Sequence, residues 1–406
     1  MQTKQSSGSL HFGLKQGRSV IALGKKSDMS RALTVFCLGS LLLAALYVLQ
    51  QSTENYQNGG DLWKQGDWLI NSELVPVRRA FIGDLILLLS DILGTSPILV
   101  TWIIQVILLI ALFVFLLMSV RATGATPIIW IILLSPAFFV FFWAADPRAS
   151  IRKELIIYVA FLCLLIAFSF PGRARFLIVL STFLFTMGVI GHEGMALFLP
   201  SYAICLWLLV RKTALSPTLI YLPLALALVA ALGSILYAQA HPSVADFQQI
   251  CQPLLERGLS DEICQGSIKW LQFDTHSSSE IVGGTITARK IGVLAVAYVL
   301  SSVGFLFFAH HTDAPRKLTA LYLLSAIPFL PLFVLGIDWG RWLNFHFSSA
   351  VFLVLALLLA GKLKIERQPD NRYYIPLLLS HFIWSIGHIM PLMPFGILGQ
   401  AYRVLA

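Results

Sequence analysis

Long apolar runs, broken by short polar stretches, dominate this chain. Runs near spanning length fall at about 32–50, 97–120, 126–143, 155–170, 175–190, 195–210, 217–237, 291–309, 318–335, 343–360 and 373–390. A hydrocarbon core of about 30 Å selects that length. Backbone groups find no water in lipid, so each run must satisfy its own hydrogen bonds as a helix. The pattern predicts an all-α, polytopic transmembrane bundle of about eleven spans.

One further run, Ala80–Leu93, is apolar but short. As a helix it would reach only about 21 Å, less than the core thickness. Asp84 and Asp91, seven residues apart, would share one of its faces. It reads as an interfacial or half-inserted helix, with a short tilted span as the rival. The choice matters because a crossing here would invert every later loop.

Composition agrees with the pattern. Hydrophobic residues make up 57% of the chain and charged residues 12%, and mean hydropathy is +0.80. A soluble domain of this length needs far more charge to cover its surface. The net charge of +9 does not imply nucleic-acid binding, because Lys and Arg sit in short segments between apolar runs and form no basic stripe. Lys4, Lys15, Arg18, Lys25, Lys26 and Arg31 precede the first run. Residues 1–31 therefore read as a disordered cytoplasmic tail under the positive-inside rule. Residues 32–406 read as one transmembrane domain in a bacterial inner membrane, containing a long loop at 238–290. Beyond the tail, basic residues divide almost evenly between the two sides and decide nothing.

Cysteines are a better guide to sidedness. Cys37, Cys163 and Cys205 lie inside apolar runs, where packing explains them. Cys251 and Cys264 share the long polar loop with twelve residues between them. Such a pair suggests a disulfide, and disulfides persist in the periplasm. Two unpaired thiols are the alternative, and the spacing fits no zinc pattern. A periplasmic loop agrees with a cytoplasmic tail provided Ala80–Leu93 does not cross.

With that topology, five polar clusters face the periplasm: Asp61–Arg79, Asp146–Glu154, His192–Glu193, the long loop itself and Asp338–Asn344. Arginines outside the membrane run against the usual bias and are the better functional candidates. Arg78 and Arg79, at a helix start, suit a bidentate clamp on phosphate or pyrophosphate; headgroup contact is the plainer reading. Arg152 and Lys153 oppose the dipole of the helix they open, so they need an anionic ligand or a salt-bridge partner, whereas Glu154 suits that dipole. His192 beside Glu193 is a plausible acid–base pair or simply a pair at the water interface. Asp338, Arg341 and Asn344 are spaced three apart on one face, and the first two could pair with each other. Trp63 and Trp68 read as interfacial belt or as a platform for a sugar ring. His310, His311, His381 and His388 have bland readings, the last two on one face of the final span.

The segment WLINSELVPVRRAFIGDLI resembles a pattern in bacterial membrane proteins of surface-polysaccharide clusters. The residues carrying it are Trp68, Asn71, Val77, Arg78, Arg79, Ala80 and Gly83, with Ala80 standing where the pattern usually has glycine. DPRASIRKE and DWGRW are similar to blocks of the same proteins, which are regarded as Wzy-type polysaccharide polymerases or relatives of GT-C glycosyltransferases. The resemblance implies glycosyl transfer on the periplasmic face, polymerising O-antigen, capsule or exopolysaccharide. The donor would be a sugar or oligosaccharide on undecaprenyl phosphate or diphosphate. Arg78, Arg79, Arg152, Lys153 and Arg341 would meet its phosphates. Trp63, Trp68, Asn71 and Asp338 would meet sugar, and His192 or Glu193 would take the acceptor proton. It implies no cofactor or metal, and it implies membrane lipids and other polysaccharide-assembly proteins as partners. A GT-C enzyme would instead use an acid of the first outer loop, Asp61 or Asp67. A lipid-linked oligosaccharide flippase is the rival from another class, and a carbohydrate acyltransferase a weaker one.

Overall fold

The computed structural model describes residues 28–124, 126–389 and 392–405. The basic tail lies outside them except for 28–31, which begin the first helix. The chain is an all-α, multi-pass helical bundle. Among the described residues, eight helices are long and apolar enough to cross a membrane: Arg31–Gln57, Pro97–Ala122, Pro171–Gly191, Glu193–Thr213, Thr218–Ala240, Ala288–His310, Pro315–Leu335 and Trp339–Leu359. Their outer faces expose large apolar side chains such as Leu43, Ile107, Phe176, Val229 and Val299. In water such a belt would be costly; against lipid it is the expected surface.

The other three runs take different forms. Run 126–143 is broken into a 3-10 turn at Pro127–Ile129, a helix Trp130–Leu133 and a helix Phe139–Ala145. Pro136 between the pieces has no N–H, and the Ser135 hydroxyl accepts from Ala137 N instead. This irregular backbone is tolerated because residues 128–145 are buried inside protein. Run 155–170 is a wholly buried 14-residue helix, Glu154–Ala167, at the centre of the bundle. The last run stops at Ile383, and a two-stranded antiparallel hairpin of Trp384–Ser385 and Met393–Pro394 follows. His388 therefore lies between strands and does not share a helix face with His381. The hairpin is held by a close approach that only glycine permits: a Cβ on Gly340 would sit 1.8 Å from Gly387 O.

Ala80–Leu93 forms a 13-residue helix, Phe81–Leu93. Its start adjoins Arg79, which pairs with Glu193, and its end carries Asp91, which pairs with Arg257 of the long loop. Arg257 also holds Glu73, in the segment before the helix. A Cβ on Gly83 would lie 1.9 Å from Ile70 O, so the helix rests directly on the 60–80 strap.

The long loop is ordered. It contains helices Gln248–Glu256 and Thr275–Thr285, and Cys251 and Cys264 are bridged with Cα atoms 5.9 Å apart. Its apolar side chains, Ile250, Leu254, Ile263 and Ile268, join Trp68, Ile70, Val77 and Ile86 in a small core separate from that of the bundle. Each such buried side chain contributes about 1.5–3 kcal/mol of transfer free energy, so the strap and loop stabilise each other as one cap. Polar ties add direction: Ser267 N donates to Leu62 O at 3.0 Å, and Asn71 Nδ2 to Ile250 O at 2.8 Å.

Candidate functional site

Helix ends bring the polar clusters together beneath this cap. Arg341, in the first turn of Trp339–Leu359, donates to both carboxylate oxygens of Glu154, at 3.1 and 2.6 Å. Arg79 donates from Nε and Nη2 to Glu193, at 3.0 and 2.5 Å. Arg152 Nη1 lies 3.4 Å from Asp338 Oδ2, and Arg341 Nη1 lies 3.6 Å from the same oxygen. Lys153 Nζ donates to Arg79 O at 2.9 Å. Four segments distant in sequence are therefore joined by arginine–carboxylate pairs at one end of the bundle.

This pairing changes the roles expected of several residues. Arg78 and Arg79 do not form a two-guanidinium clamp. Arg79 has a left-handed backbone, φ 67°, which costs about 1 kcal/mol and turns the two side chains to different partners. Arg79 is committed to Glu193. Arg78 Nη2 donates to Phe273 O at 3.0 Å, and its buried Nε has no partner among the described residues. Burial, and then the charge of Arg79, push Arg78 down to about 10. Arg152 and Arg341 likewise hold carboxylates already.

His192 is nearly buried and caps the turn after it, Nδ1 accepting from Gly194 N at 3.1 Å. Burial and the nearby Arg79 push it down to about 3, so the ring stays neutral. Its Nδ1 lies 3.9 Å from a Glu193 oxygen, too far for a hydrogen bond. The two are thus neighbours committed to other partners, not a free acid–base pair. Trp68 is 1% exposed and donates from Nε1 to Ile151 O at 2.9 Å, so it is a cornerstone of the cap and offers no face to a sugar. Asn71 is wholly buried and its amide bonds Ile250 O and Leu69 O. Trp63 is 38% exposed on the rim, edge-on to Trp270 with centroids 6.3 Å apart. Asp61 accepts from the backbone N–H of Trp63 and Lys64, as a turn residue does.

Asp67 differs from all of these. It closes the short helix Gln65–Trp68, is 5% exposed, and its Oδ2 is buried with no hydrogen-bond partner among the described residues. Burial alone would raise this carboxyl; the charges of Lys153, Arg341 and Arg79 outweigh it and hold the group below the usual range. Lys153 is the complementary case. Burial pushes it down to about 8 against the pull of Asp67, and among the described residues no carboxylate lies within ion-pair distance. Lys153 and Arg78 both feel the Arg79–Glu193 pair. Among the described residues, Asp67 Oδ2 thus lacks a donor, and Lys153 and Arg78 reach backbone oxygens but no carboxylate.

Sequence reasoning missed several participants. Asp84 accepts from both N and Oγ of Ser72, at 2.6 Å each, pinning the strap. Lys290 lies over the Trp339 ring at 4.5 Å. His388 Nδ1 is 2.6 Å from Asp146 Oδ2. Gly387, Pro391 and Pro394 were the available signal that the last helix ends early and releases His388. Among the described residues the one grouping with metal-ligand spacing is Cys251, Asp261 and Cys264, whose sulfurs are bridged to each other. No protein-family model matches this chain, and neither do any curated proteins or solved structures.

Proposed function

We propose that this protein transfers a glycosyl unit at the periplasmic face of the inner membrane, from a donor linked to a polyprenyl phosphate or diphosphate, in building a surface polysaccharide. The observation that carries this reading is the set of charges without an opposite partner among the described residues: Lys153 and Arg78 bond only backbone oxygens, and Asp67 Oδ2 has no donor. Two cations suit a phosphate, and a bare carboxylate suits a sugar hydroxyl. A lipid-linked donor accounts for a site at the end of a membrane bundle, since the tail can stay among apolar helices while the phosphate meets the cap. The phosphate is itself a stable leaving group, so neutralising its charge supplies much of what the reaction needs. Arg79, Arg152 and Arg341 then act as positioning residues through Glu193, Asp338 and Glu154.

A second reading has its own support. Asp67 is a buried acid in the segment between the first two spans, where a single-sugar transferase using a polyprenyl monophosphate would carry its acid. A strain deleted for the gene separates the two readings. A polymerase leaves single repeat units on the surface lipid, whereas loss of a single-sugar transferase leaves chain length intact and one sugar missing. Unchanged polysaccharide composition and length in the deletion strain would sink both.

A further inference from the structure

We propose that His388, oriented by Asp146, takes the proton of the acceptor hydroxyl in the glycosyl transfer described above, on which this inference rests. One oxygen of Asp146 accepts from both His388 N, at 2.8 Å, and His388 Nδ1, at 2.6 Å. This double contact fixes the ring relative to its own backbone. Asp146 is 7% exposed at the end of Phe139–Ala145, and the bonds from His388 outweigh its burial, holding the carboxyl below the usual range. An ionised carboxylate only accepts, so Nδ1 carries a proton, and in the neutral ring Nε2 is the nitrogen left to accept one. Nε2 has no hydrogen-bond partner among the described residues, and the side chain is 14% exposed, open to a substrate.

The dyad is tied into the site. Gly340 N donates to His388 O at 3.0 Å, one residue before Arg341. Arg148 and Arg152 from the 146–154 segment, Lys64 from the strap, and Asp338 and Arg341 from the neighbouring helix start are the charged groups around it. Lys64 is 2% exposed, lies 4.0 Å from Asp61 and also feels the charge of Asp146, and Arg152 Nε is buried without a partner among the described residues.

The step balances without a co-reactant. The hydroxyl oxygen bonds to the anomeric carbon of the donor sugar as its proton passes to Nε2. The bond from that carbon to the phosphate oxygen breaks, and its electron pair leaves with the phosphate. Asp146 stabilises the imidazolium, which then releases its proton to water. Asp67 is a poorer base because the cations around it hold it in the charged form; it serves the donor side.

The test uses full-length protein in membranes, with the lipid extract of the deletion strain as the source of unused donor and acceptor. Initial rates are followed from pH 5.5 to 9, and retention of the Cys251–Cys264 bridge and the melting temperature report folding. His388→Gln should lower the rate by at least about 100-fold and abolish the fall in rate on the acid side. Asp146→Asn, which keeps the shape, should lower it by about 10- to 100-fold and shift that fall to lower pH. A folded His388→Gln or Asp146→Asn protein with wild-type rate and profile overturns the dyad, as does a loss confined to Asp67→Asn. Failure of the wild-type protein to consume any lipid-linked sugar overturns the glycosyl-transfer reading itself, a result these variants cannot mimic.

Discussion

Arg341 and Glu154 form a two-pronged ion pair whose side chains are 4% and 0% exposed. It joins the first turn of one helix to the first turn of the central buried helix. Breaking such a pair strands a charge, so Arg341→Ala or Glu154→Ala should cost about 3–5 kcal/mol, while the double replacement Arg341→Met with Glu154→Leu should recover much of it. Melting temperatures of the three variants in lipid nanodiscs check this. A loss in the double variant equal to the sum of the two single losses would mean that the pair is not coupled.

How much of this was legible beforehand depends on whether a residue acts locally or through a distant partner. Apolar run length made the multi-pass helical bundle readable, because lipid allows few alternatives. The same rule misled at 126–143, since irregular backbone is permitted where protein replaces lipid, as around Pro136. Polar clusters at Asp61–Arg79, Asp146–Glu154, His192–Glu193 and Asp338–Asn344 were visible because charge is rare here. Their pairing was not: nothing near Arg79 in sequence announces Glu193, 114 residues away. Trp68 and Asn71 resembled ligand contacts because buried and binding residues share the same types, and only the cap's own core separates them. Asp67 and Asp61 were indistinguishable until burial set one apart.

The bridge between Cys251 and Cys264 closes a loop that lies on the strap holding Asp67 and Arg78. Closing a loop of this size contributes about 3 kcal/mol in the chain-entropy account. Cys251→Ser with Cys264→Ser should therefore lower the melting temperature and loosen the cap, seen as faster proteolysis within residues 241–287. The bridge also requires an oxidising compartment. Alkaline phosphatase fused inside this loop should be active, and fusions near Arg173 and Arg316 inactive. The reverse pattern would move the site to the cytoplasmic face.

Arg78 and Arg79 should respond differently to lysine. Arg78 has no carboxylate to lose, so Arg78→Lys should leave stability within about 1 kcal/mol. Its activity should still fall by about 10- to 100-fold, because a lysine cannot reproduce a forked contact with phosphate while also reaching Phe273 O. Arg79→Lys breaks the contact with Glu193 and should cost about 1–3 kcal/mol of stability, with activity falling alongside. Polysaccharide length in a complemented deletion strain, normalised to protein level, and melting temperature separate the two effects. Matching profiles for the two variants would contradict the division of labour drawn from Glu193.

Lys153 gives a prediction in pH. Burial lowers this amine from 10.5 to about 8, so between those values the unfolded chain holds a proton that the folded protein has lost. Stability must rise with pH across that window, because the state binding fewer protons is favoured as protons become scarce, by up to about 3 kcal/mol. Anion binding runs the other way. Above about pH 8 Lys153 is neutral, Arg78 stands alone, and affinity for a phosphate-bearing donor should drop. The protein would therefore become more stable and less active over the same range, a combination that general alkaline damage does not produce. Lys153→Met should remove the rise in stability and, having no charge to lose, should bind donor weakly at every pH. Melting temperature from pH 7.5 to 10.5 and the KM for lipid-linked donor over the part of that range where the enzyme survives are the measurements. If wild type and Lys153→Met show the same slopes in both, Lys153 titrates as an ordinary surface lysine, and its place beside Asp67 has no functional meaning.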